Sequence, residues 1–69
     1  MPYDYSKLCG LIVEKYGTQA KFAEAMGLSE RSVSLKLNGR VGWKQAEIAQ
    51  ACKLLGIRAT TIAAYFFAI

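Results

Sequence analysis

The stretch TQAKFAEAMGLSERSVSLKLNG, residues 18–39, decides how the whole chain is read. Thr18 precedes Gln19 to Met26, where Phe22, Ala23 and Met26 recur at helical spacing, and a hydroxyl there caps a helix by accepting from its free amides. Gly27 stops that helix, because glycine takes a positive φ without a Cβ penalty. Ser29 then caps a second helix, Glu30 to Leu37, with Val33 and Leu37 one turn apart on its inner face. Asn38-Gly39 ends it in a turn. Ala23 is small enough to sit where the two helices cross. Leu28 plugs the turn into the core, and Val33 packs back onto Ala23. Two short helices joined by a three- to four-residue, glycine-containing turn form a helix-turn-helix unit.

The flanking segments read as further short helices. Leu8, Leu11, Ile12 and Tyr16 make one apolar stripe, which predicts a first helix from about Tyr5 to Tyr16, capped by Asp4 and stopped by Gly17. Gly10 is a weak point within it. Downstream, Ile48, Ala51, Cys52 and Leu55 predict a helix over about Lys44 to Leu55, stopped by Gly56. A last helix is expected over Thr60 to Phe67 with Thr60 as cap. No strand-like alternation is present. The fold class is therefore all-α, a compact bundle of about five short helices in one domain over residues 1–69.

Composition narrows the function. Nine Lys and Arg against five Asp and Glu give a net charge of +4, which suits a polyanionic partner. There is no histidine, and the two cysteines, Cys9 and Cys52, lack metal-ligand spacing. Both read as reduced, buried thiols. The acids Asp4, Glu14, Glu24, Glu30 and Glu47 are scattered, with no glycine-rich phosphate loop, so neither enzyme activity nor a cofactor, metal or small-molecule ligand is expected. The opening MPYDYSK lacks the basic start and apolar run of a signal peptide. The apolar run Ile62 to Ile69 is far short of the ~20 residues that span a bilayer. A cytoplasmic protein without membrane contact is expected.

The arrangement over residues 5 to 56 resembles the helix-turn-helix proteins of temperate phages, the Cro and repressor family. The likeness lies in Gln19, Ala23, Gly27, Val33 and the Asn38-Gly39 close, and in the fragments SERSVSLKLNGRVGW (29–43) and EIAQACKLLGI (47–57). It departs at Lys36, where many members carry an apolar residue. The resemblance implies a lambda-repressor-like bundle, a transcriptional repressor, and binding of a palindromic operator in double-stranded DNA as a homodimer, its third helix in the major groove.

With Val33 and Leu37 facing inward, Arg31 and Leu35 point outward at about 100° per residue, with Ser32 and Ser34 on the shoulders. Arg31 is the candidate for gripping a guanine edge. Leu35 could meet a thymine methyl group or be partly buried, and Glu30 could accept from cytosine or serve the helix dipole. The expected backbone contacts are Thr18, Gln19, Ser29, Lys36, Asn38, Arg40 and Lys44, on helix starts, the third helix and the basic loop that follows it. Trp43 is expected to pack into the core. Ile62 to Ile69 is apolar on every face, so Tyr65, Phe66 and Phe67 are candidates for a homodimer interface strengthened by DNA, or else for completing the core. The competing functions are a helical protein-interaction module without DNA contact and an antitoxin-type helix-turn-helix regulator.

Overall fold

Thr18 Oγ1 accepts from Lys21 N at 3.1 Å and Ser29 Oγ from Ser32 N at 3.1 Å, so both hydroxyls cap the helices that follow them. The computed structural model describes residues 3–69, and in it these caps open α2 (Gln19–Met26) and α3 (Glu30–Leu37). Before them lies α1 (Ser6–Tyr16), and after them α4 (Gln45–Leu55), a 3₁₀ turn (Ala59–Thr61) and α5 (Ile62–Phe66). The chain is an all-α bundle of five helices, with no strand among the described residues.

Helix stops are equally local. Gly27 sits at φ +74°, Leu28 N reaches Ala23 O at 2.9 Å and Gly27 N reaches Glu24 O at 3.1 Å. The α3 end repeats the pattern at Gly39 (φ +74°), with Arg40 N on Leu35 O and Gly39 N on Lys36 O. Both are Schellman closures, in which a left-handed residue turns the chain back to satisfy the last carbonyls.

One continuous core holds the helices. α2 is its hub, packing on α1, α3 and α4, while α5 covers α1. Leu8, Ile12, Phe22, Ala23, Val33, Ala51, Leu55 and Phe66 are almost wholly removed from water. Each large apolar side chain buried in this way contributes about 1.5–3 kcal/mol. Tyr16 meets Phe22 edge-on at 5.5 Å between ring centroids. The radius of gyration, 10.7 Å, matches the ~11 Å expected of a compact chain of this length. The two ends of the described chain are joined: Asp4 N donates to Ala68 O at 2.6 Å, and Tyr3 packs edge-on against Phe67.

Three expectations need correction. α1 begins one residue late, at Ser6, yet Asp4 still supplies the capping acceptor to Ser6 N at 2.8 Å. α4 begins at Gln45, because Lys44 holds an extended conformation as its N-cap. Thr60 caps nothing; it lies inside the 3₁₀ turn, and Thr61 Oγ1 bonds back to Arg58 O. Without a capping side chain, the last segment tightens into one 3₁₀ turn before α5 starts. Cys9 and Cys52 are free thiols, the first half-buried and the second buried.

Candidate interaction surface

The outer side of α3 is mixed. Glu30 and Arg31 are exposed at its N-terminal end, while Ser32, Ser34 and Leu35 are half-buried. Leu35 thus takes the partly buried alternative. Ser29 and Ser32 are tied together: Ser29 Oγ accepts from Ser32 N and donates to Ser32 Oγ at 3.0 Å. Asn38 Nδ2 donates back to Ser34 O at 2.9 Å, helping to finish α3. Thr18, Ser29, Asn38, Arg40 and Lys44 are exposed and Gln19 is half-buried.

Lys36 is the largest departure from the sequence reading. It was expected to meet a phosphate, but it is buried, at 5% exposure. Its Nζ lies 2.8 Å from Glu47 Oε1 and donates to Gly42 O at 3.2 Å, with the Trp43 ring centroid 5.9 Å away. The physical reason is the interior position itself. Residue 36 follows Val33 by three, so its stem lies along the core side of α3. An ammonium drawn inside must find a countercharge. Glu47, in the first turn of α4, supplies it. The same carboxylate accepts from Lys44 N at 2.8 Å, so it caps α4 as well. Burial opposes ionisation of Glu47, but the hydrogen bonds from Lys36 and Lys44 N, and both cationic charges, hold its carboxyl below the usual value.

The consequence is a fixed loop. Arg40 N and Val41 N both reach Leu35 O, at 2.9 and 3.3 Å, while Lys36 holds Gly42 from beneath. Trp43 lies half-buried against Phe66, ring centroids 5.2 Å apart and nearly perpendicular. The Trp43 Nε1 donor is buried with no acceptor among the described residues. Arg40 and Lys44 are left as the exposed cations flanking this loop.

The aromatic trio at the C-terminus separates. Phe66 is core, 1% exposed, so its place in a subunit interface is corrected. A side chain already packed on Trp43 has no surface to offer a partner. Phe67 remains 46% exposed. Tyr65 is half-buried beneath Lys7, whose Nζ lies 5.4 Å from the ring centroid. The two thiols offer little reactivity. Burial raises Cys52, while burial and then the Asp4 charge raise Cys9, so both stay protonated near neutral pH. Among the described residues, no cluster of His, Cys, Asp and Glu could hold a metal, and no helix is long and apolar enough to cross a membrane.

Sequence reasoning missed the Lys36–Glu47 pair. Its signals were present: residue 36 falls at core spacing from Val33, where many of the resembled proteins are apolar, and Glu47 begins a helix with no obvious partner.

A family model described as "Protein of unknown function (DUF739)" matches residues 1–69. No protein of curated function matches the chain. Among solved structures, the solution structure of the modulator of repression (MOR) of the temperate bacteriophage TP901-1 from Lactococcus lactis matches with a TM-score of 0.84. The two sequences are 58% identical, and the match covers 97% of this chain and 90% of that one.

Proposed function

The chain belongs to the DUF739 family, and on that footing we propose that it regulates repression in a temperate phage by binding the phage's repressor protein. It acts in the bacterial cytoplasm and carries out no catalysis. The observation that carries this reading is the 58% identity to a modulator of repression over 97% of the chain. The inward turn of Lys36 adds support. It withdraws one cation from the face that would track a phosphate backbone, leaving Arg31, Arg40 and Lys44 around α3 and its loop. The test is calorimetric titration of the chain with the repressor, alongside gel shifts on operator DNA. The chain is expected to bind the repressor and to alter its operator affinity, while showing no site-specific shift alone. Operator binding by the chain alone, without repressor association, would refute the reading.

A second reading is direct occupation of operator DNA by a helix-turn-helix homodimer. It is favoured by the buried Ala23 and Val33 on α2 and α3, by the left-handed Gly27 between them, and by the exposed Arg31. Glu30 and Arg31 would then read bases, with Ser32, Ser34 and Leu35 beside them. Thr18, Gln19, Ser29, Asn38, Arg40 and Lys44 would hold phosphates, and Phe67 with Tyr65 would meet the second subunit across half-sites about 34 Å apart. In this case Arg31→Ala loses about 1–3 kcal/mol at one preferred base pair. Equal loss on all DNA sequences would exclude base reading by Arg31.

A further inference from the structure

A cavity of about 240 Å³ opens between the α3–α4 loop and the joined chain ends. Tyr3 and Tyr5 wall it on one side, Phe66 and Phe67 on another, and Val41 and Trp43 close it from the loop. Among the described residues, no charged side chain lines it. Its volume falls below the ~300–1,000 Å³ typical of small-molecule sites, and suits one or two inserted side chains instead. Two large apolar residues of the lining face water, Val41 at 44% and Phe67 at 46% exposure. Arg40 and Lys44, both exposed, bracket the loop segment that forms one wall. That wall is held in place by Lys36 on Gly42 O and by the Arg40 and Val41 amides on Leu35 O. A cup already in shape has little ordering entropy to lose on binding.

We propose that this cup is the docking site for a bulky apolar side chain carried on an acidic segment of the repressor, an assignment that rests on the regulatory reading above. The argument is charge complementarity around an apolar centre. Buried anchors in preformed pockets dominate the strength of protein contacts, and charges at the rim steer association. Here the exposed cations next in sequence to the lining residues are Arg40 and Lys44, on a chain of net charge +4. A second copy seated symmetrically would bring like charges together. Duplex DNA would answer the cations but leave the aromatic cup unfilled. A partner with Asp or Glu flanking an apolar side chain satisfies both.

The chain has one tryptophan, so the indole N–H of Trp43 gives a single nitrogen-correlated proton signal from the wall of the cup. Adding unlabelled repressor to the labelled protein is expected to move that signal. Val41→Asp and Phe67→Asp, each checked for a wild-type circular dichroism melt, should weaken repressor binding about 30-fold. The double variant Arg40→Glu/Lys44→Glu should slow association about tenfold at low salt, and less at high salt. Lys53→Glu, an exposed charge reversal on α4, should leave affinity unchanged. If the repressor binds both aspartate variants as tightly as wild type and the indole signal stays still, the cup is not the site, and the regulatory reading stands. If wild type does not bind the repressor, that reading falls and this assignment with it. An indole shift driven by the protein's own concentration, or by duplex DNA alone, would give the cup to another occupant and overturn the proposal.

Discussion

Replacing Lys36 with alanine removes the cation from a nearly dry ion pair and leaves Glu47 facing the gap. Breaking a buried pair by deleting one partner costs about 3–5 kcal/mol. Glu47 is itself 16% exposed and keeps its bond from Lys44 N, so the lower end applies, about 3 kcal/mol. A chain of this size is stable by about 3.5–10 kcal/mol in total, so the loss is a third of that or more. The midpoint of thermal unfolding should fall by about 12–24 °C. Equilibrium urea unfolding followed by circular dichroism measures the change directly, and an unaltered slope would assign it to stability. Lys36→Met, which keeps the apolar stem, should lose less than Lys36→Ala. The double variant Lys36→Met/Glu47→Gln should recover part of the loss, because the lone carboxylate is neutralised. A solvated lysine would shift stability by less than about 0.5 kcal/mol. If Lys36→Ala unfolds within that margin of wild type, the buried ion pair is not what holds the α3–α4 loop.

Acid should act through the same pair. The folded-state value of Glu47 is lowered, so its contribution is present above the unfolded carboxylate value, about 4.3, and is lost as pH falls through the folded value. Urea midpoints taken below pH 5 should therefore fall more steeply for wild type than for Lys36→Met/Glu47→Gln, and parallel curves would count against the linkage. Phe66→Ala should cost about 3–5 kcal/mol, and Phe67→Ala only about 1 kcal/mol, because the first is core and the second is half in water. Equal losses in thermal melts would contradict that division. Gly27→Val should be destabilised by about 1–2 kcal/mol through the left-handed backbone alone, since an added Cβ there would touch nothing within 4 Å. Gly27→Asn should be milder. A valine variant melting with wild type would remove the strain argument.

The middle of the chain was legible because its signals are local. Thr18, Gly27, Ser29 and Gly39 each act on amides or carbonyls a few residues away, so α2 and α3 begin and end where the sequence reading put them. The last segment was less legible. Its uniform apolarity indicated burial without saying which face, and only the tertiary arrangement sends Phe66 onto Trp43 and leaves Phe67 outside. Lys36 failed for a related reason. A lysine reads as surface until its partner is known, and Glu47 lies eleven positions away on another helix. The cup has no linear signature at all, since its walls come from Tyr3 and Tyr5, from the α3–α4 loop, from Ile48 on α4 and from Phe66 and Phe67.

The bond between Asp4 N and Ala68 O sets the two ends of the described chain side by side. Closing a loop of that span costs about 3.7 kcal/mol by chain-entropy scaling, offset by the packing of α5 on α1. A circular permutant, with positions 3 and 69 tethered by a few glycines and a new opening cut in the exposed turn at Gly56, should therefore keep the bundle. It would also carry that closure covalently instead of through one hydrogen bond and an aromatic edge.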